Sequence, residues 1–202
     1  MIINTELGTF GDNGELDDLR TKWDKSLDAE RHDKGAETFN KMISLKYLGE
    51  IVRRVLVDLK DQNLIFQSQS LKELNKPYSF DSDALCMVES DPVGVYDKAR
   101  IVLGKLGLKN VSNEDCREVR HVCEYVSTRA AYLMGACCTA MLRKVDERDV
   151  AIVVTGDLFH VHPYFRTELK TKIRKLMGVD TNIDLFEQST GIGAAFLAAD
   201  LR

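Results

Sequence analysis

Three groups of residues in this 202-residue chain have types and spacings that could do chemistry. The first is a pair of glycine turns, VVTGD ending at Asp157 and STGIG from Ser189 to Gly193, each following an apolar run and preceding a helical pattern. Backbone N–H groups at such a helix start can hold a phosphate, and glycine lets the phosphate approach closely. Neither turn matches the dinucleotide fingerprint or the Walker pattern, so spacing alone leaves an ordinary connection as the commoner reading. The second group is His160 and His162, two residues apart beside Pro163. No carboxylate or cysteine stands at helical spacing to complete a metal set, so packed loop histidines are favoured over a ligand pair. The third is the set of five cysteines, Cys86, Cys116, Cys123, Cys137 and Cys138, an odd number with no CxxC pair. Cys116, Cys123 and Cys137 repeat at seven and fourteen, which reads as one helix face carrying buried free thiols, with a disulfide or zinc as the lesser alternatives. Glu15, Asp17 and Asp18 read as solvated surface, and no nucleophile elbow is present.

The elements that must position these groups follow from apolar periodicity. Ile2 to Phe10 reads as a short strand running into the glycine-rich turn GDNG. From Gly35 to about Asp61, apolar residues from Phe39 to Leu59 recur at three and four, which predicts one long amphipathic helix. Pro77 disfavours a regular helix over 67–79. Helices are expected from about Ser82, over Tyr96 to Leu106 with Gly107 as terminator, and from a cap at Ser112 to about Val145. The final third predicts two strand-turn-helix units. In these, Ala151 to Thr155 and Ile183 to Glu187 are the strands, and about Pro163 to Met177 and Ala194 to Leu201 are the helices. Together these elements predict a mixed α/β domain, with 1–202 as a single unit.

Composition narrows the functional classes. The chain is 44% hydrophobic, with 28 Lys and Arg against 32 Asp and Glu. That balance supplies no basic field for nucleic acid or an anionic membrane. No apolar run approaches the ~20 residues that span a bilayer, and the first residues lack signal-peptide character. A cytoplasmic protein with reduced thiols, no nucleic acid partner and no membrane insertion is expected.

Two stretches read together say more: NTELGTFGD at Asn4 to Asp12 and FNKMISLKYLGEIVRRVL at Phe39 to Leu56. They resemble the eukaryotic hexokinase and glucokinase family, which carries NTEWGAFGD and then a helix close to YEKMISGKYLGEIVR. The resemblance continues in order through MVESD, VCEYVSTRAAYL, TGDLFHVHPYF and STGIGAAFLAA, over nearly the whole chain. It implies the larger, carboxy-terminal lobe of an actin-like, ribonuclease-H-like ATPase fold, with a mixed sheet and flanking helices. In that family a hexose and ATP with Mg²⁺ meet between two lobes. The small lobe, its phosphate loop and the Asp that accepts the hydroxyl proton are expected to precede this chain. The chain alone is therefore expected to be inactive or nearly so, and the face that would meet the missing lobe to favour self-association.

The resemblance also implies site residues. Glu6 matches the family's sugar-binding Glu, Asn40 stands where the family has a second Glu, and Glu37 stands where it has a Gln that touches the sugar. Loss of a charge-assisted bond at Asn40 predicts weaker or altered sugar binding. On the nucleotide side Lys46 keeps the ATP-contacting Lys, while Leu45 replaces a glycine beside it. Ser82 and Cys86 correspond to adenosine-contacting Thr and Ser. Thr155, Gly156 and Asp157 replace Asp-Gly-Ser in the phosphate turn, where a carboxylate disfavours a triphosphate, and Val161 matches an apolar residue near the base. Two functions are thereby predicted: a hexose kinase lobe, or a non-catalytic relative that keeps the fold while its sugar and ATP sites degenerate.

Overall fold

The computed structural model describes residues 4–67, 69–145, 152, 157–178 and 199. Eight α-helices are found there, and the described residues contain no β-strand. The strands expected over 151–155 and 183–187, the STGIG turn and the helix over 194–201 lie outside the described residues or nearly so. The mixed sheet of the expected fold is thus not seen among them. The chain divides into two compact units, residues 1–130 and 131–202.

In the first unit, the strand expected over Ile2 to Phe10 starts outside the described residues, and its described part, 4–10, is a loop and a short 3-10 turn, Leu7–Thr9. Local polar side chains supply the reason. Asn4 Oδ1 accepts the Glu6 N–H at 3.2 Å, and Thr9 donates its hydroxyl to the Glu6 carbonyl at 2.8 Å. Backbone groups satisfied this way need no strand partner. Helix α1, Lys22–Ala29, begins with a capping box in which Thr21 and Asp24 exchange hydrogen bonds. Asp24 is buried and takes a two-pronged contact from Arg129, at 2.6 and 2.8 Å.

The single long helix predicted from Gly35 is two helices, α2, Thr38–Ile43, and α3, Leu45–Asp61, broken at Ser44, whose backbone is extended. The apolar period runs straight through that break, and so it conceals it. Tyr47, Leu48, Ile51, Val52 and Leu56 form the buried stripe of α3. This helix meets α4, Ser82–Glu89, at Gly49. A Cβ on Gly49 would lie 2.4 Å from the Asp81 carbonyl carbon, so only glycine allows this approach. Glu50, on the next position, is 1% exposed and ties three groups together: the guanidinium groups of Arg53 and Arg54 and the Tyr78 N–H.

Helix α5, Asp97–Lys105, is capped from outside by Asp91, whose carboxylate accepts from Lys98 and Ala99 N–H at 2.9 and 3.1 Å. Gly107 follows it with φ +79°, the predicted left-handed terminator. Helix α6, Asn113–Val145, starts at Ser112 as expected, with the Ser112 hydroxyl accepting from Asp115 N–H at 3.0 Å. Of the three cysteines expected on one buried face, Cys116 and Cys123 are fully buried, but Cys137 is only half-buried and its neighbour Cys138 is buried instead; all five thiols are free.

The second unit holds the end of α6 together with α7, Asp157–Val161, and α8, Phe165–Met177. The helix expected from Pro163 begins two residues later. His162 fills the gap, its Nδ1 accepting from the Phe165 N–H at 3.0 Å, which is the cap Pro163 cannot provide. Leu169 and Ile173 form the buried stripe of α8.

Candidate functional site

The geometry of the first unit gathers the three residues carried over for a sugar. Phe10 and Phe39 rings meet edge to face at 6.1 Å, and the Phe39 N–H donates to the Phe10 carbonyl at 3.2 Å. Gly8, two residues past Glu6, faces Asn40: a Cβ there would sit 3.5 Å from the Asn40 Cβ. The loop carrying Glu6 therefore lies directly on the segment carrying Glu37 and Asn40. Asn40 donates from Nδ2 to Glu37 Oε2 at 2.8 Å, so the carboxamide and the carboxylate form one pair.

Both carboxylates are exposed, and both stand on left-handed backbone, with φ +46° at Glu6 and +51° at Glu37. A residue with a Cβ pays roughly 1–2 kcal/mol for that conformation, so neighbours must hold it. Asn4 and Thr9 hold Glu6, with Asn4 also donating to the Glu6 carboxylate. Asp12 holds Glu37: its carboxylate accepts from Glu37 N–H at 3.0 Å and from Thr38 N–H at 2.8 Å. Slight desolvation raises the Asp12 pKa, but the bonds from Thr38 and Glu37 and the Lys41 charge outweigh it and keep the carboxyl below its usual range. Asn4, Thr9 and Asp12 were not singled out in the sequence. Asn at two before a Glu, and Asp one residue past a Phe-Gly pair, are the only local signals of these roles.

A buried ion network supports the segment from below. Lys41, 4% exposed, bonds Asp28 at 2.8 Å and the Asp33 carbonyl at 2.6 Å. Asp28 also takes Arg20 and the Gly35 N–H, each at 3.0 Å. Burial raises the Asp28 carboxyl, yet the bonds from Lys41, Gly35 and Arg20 bring it below its ordinary value. The effect is to pin the connection between α1 and α2, and with it the left-handed turn at Glu37.

The nucleotide-side residues are differently disposed. Lys46 is exposed at the first turn of α3, its ammonium 5.2 Å from the Tyr47 ring centre. Leu45 beside it is half-buried. Ser82 donates its hydroxyl to the Leu45 carbonyl and accepts from the Gly49 N–H at 3.3 Å, so it joins α4 to α3. Cys86 is buried, its thiol pushed up to about 12 first by desolvation and then by Glu89 and Asp83. In the second unit Val161 is 54% exposed. Gly156 lies outside the described residues, and Asp157 opens α7. No group of three or more His, Cys, Asp or Glu side chains suited to a metal occurs among the described residues, and no helix there is long and apolar enough to cross a membrane.

Comparison with known proteins identifies the class to which this arrangement belongs. The Hexokinase family profile matches residues 1–200, and the chain belongs to that family. It is 39% identical over 206 residues to Hexokinase HKDC1 of Mus musculus, covering 98% of this chain and 22% of that protein. It is 37% identical to the hexokinase of Schistosoma mansoni, covering 98% of this chain and 45% of that one. The solved structure of the Schistosoma mansoni hexokinase complexed with glucose superimposes with a TM-score of 0.84 at 36% identity, over 91% of this chain and 41% of that chain. A further hexokinase crystal structure, 22% identical, shares the fold with a TM-score of 0.75. The chain thus spans less than half the length of these relatives.

Proposed function

We propose that this chain acts as the large lobe of an ATP-dependent hexose kinase, with Glu6, Glu37 and Asn40 holding the sugar. One observation carries this reading: the loop bearing Glu6 is packed on the segment bearing Glu37 and Asn40. Exposed carboxylates accept hydrogen bonds from sugar hydroxyls, and a carboxamide both donates and accepts. The similarity to a hexokinase complexed with glucose supports a glucose-like hexose. The Asn40–Glu37 pair refines the expected loss at Asn40, since a carboxylate remains one helical turn away. On the nucleotide side, exposed Lys46 suits a polyphosphate, and ATP would supply the transferred phosphoryl group. Ser82 and Cys86 fit less well, because one is engaged between helices and the other is buried. We expect no turnover from these 202 residues alone. Fused to the small lobe of a working relative, the chain should release ADP in a glucose-dependent manner. Background ADP release with several hexoses would refute the kinase reading.

The engagement of Ser82 and the burial of Cys86 favour a second reading, a non-catalytic hexokinase relative with a surviving sugar site and a lost nucleotide site. Calorimetry separates the two. In the fused protein, glucose binding without binding of a non-hydrolysable ATP analogue would support the second, and binding of both would support the first.

A further inference from the structure

We propose that Asp12 is a positioning residue for the sugar site, fixing Glu37 in its left-handed conformation from 25 residues away. The inference rests on the proposed sugar-binding reading and extends it to a residue whose carboxylate is engaged by the backbone of Glu37 and Thr38. Glu37 stands at the N-cap of α2 with φ +51°, and its own side chain makes no cap bond. The N–H groups of Glu37 and Thr38 would lack a partner within that helix start. Asp12 accepts both, at 3.0 and 2.8 Å. The carboxylate therefore does two things at once: it closes the open end of α2 and couples the Glu6 loop to the Glu37–Asn40 pair. Glu37 is then free to offer its own carboxylate to Asn40 and to a hydroxyl. The Phe10–Phe39 contact and the Phe39-to-Phe10 backbone bond lie beside the clamp and keep the two segments in register. Without Asp12, the backbone at 37 would relax toward the helical region, and the carboxylate would turn away from its partner.

The test uses the 202-residue chain and D-glucose as probe, with Asp12→Ala, Asp12→Asn and a control, Ser112→Ala, which removes a comparable cap from α6. Amide NMR of the ligand-free chain should show Glu37 and Thr38 shifted and exchanging faster in Asp12→Ala, with α3 unchanged. Glucose affinity should fall about tenfold in Asp12→Ala and by less in Asp12→Asn, which keeps one acceptor oxygen, and should hold in Ser112→Ala. Unchanged Glu37 and Thr38 amides in Asp12→Ala would overturn the clamp. Altered amides with unaltered glucose affinity would overturn its positioning role. If the native chain binds no glucose while the amides respond as expected, the sugar reading fails and the role of Asp12 fails with it, whereas the clamp itself is seen to exist. Should Asp12→Ala not fold, Asp12→Asn carries the same readouts.

Discussion

The two faces carried over from the family resemblance differ in how their polar side chains are employed. At the sugar side, Glu6 and Glu37 are exposed, conformationally strained and held by Asn4, Thr9 and Asp12, so their carboxylates remain available. At the nucleotide side, Ser82 joins two helices and Cys86 lies in the core, so Lys46 alone among the three is exposed. Left-handed backbone held by a distant carboxylate is not confined to this side, since Phe66 and Tyr78 have it too, held by Asp115 and Glu50; what sets Glu6 and Glu37 apart is that their carboxylates are exposed. Polar groups turned inward to satisfy backbone are the pattern of packing.

The largest effect that would break this contrast lies beneath the sugar side. Replacing Asp28 with Ala leaves buried Lys41 with Asp33 as its remaining partner and removes an acceptor of Arg20 and of the Gly35 N–H; breaking such a buried pair costs up to about 3–5 kcal/mol. Urea unfolding should show it, and a loss near zero would mean the network does not hold the Glu37 turn. Next is Gly49→Ala, which forces α3 and α4 apart because the new Cβ meets Asp81 backbone; a loss of about 3 kcal/mol is expected in thermal melts. Glu37→Gln should lower glucose affinity by about tenfold to a hundredfold, the worth of a charge-assisted bond, while leaving stability nearly unchanged. An equal loss in both would place Glu37 with the packing residues. Ser82→Ala should lower stability by about 1 kcal/mol, with nucleotide-analogue affinity of the fused protein unchanged. A selective loss of nucleotide binding would return Ser82 to the site.

Acid provides the mildest probe. Asp24 and Asp28 have folded pKa values below their unfolded values: burial raises each, but bonds from Arg129 and Thr21 at the first and from Lys41, Gly35 and Arg20 at the second outweigh it. Their contribution is therefore present above the unfolded value of 3.8 and is lost as pH falls through the folded values. Urea midpoints should be flat near neutrality and decline below about pH 5. In Asp28→Ala the decline should be shallower.

Much of the helical order was legible in the residues. The α6 cap at Ser112, the terminator at Gly107 and the buried stripe of α3 each depend on local chemistry or on a period that one helix carries within itself. The break at Ser44 was not legible, because apolar spacing continues across it. The turn over 4–10, in place of the later part of the expected opening strand, was not, because β-prone composition does not record where Asn4 and Thr9 send their hydrogen bonds. Family membership was legible because the ordered motifs span the chain, and the match over residues 1–200 establishes it.

What the sequence by itself determined is the family and the types of the residues at the candidate site, a carboxylate at positions 6 and 37 and a carboxamide at position 40. Tertiary structure alone decided which of those residues are available. Availability depends on partners distant in the chain: Asp12 reaches Glu37, Lys41 reaches Asp28, and Ser82 reaches Leu45 across the helix contact that Gly49 permits. A side chain's donors and acceptors are properties of its type, but whether they are already satisfied is a property of its neighbours.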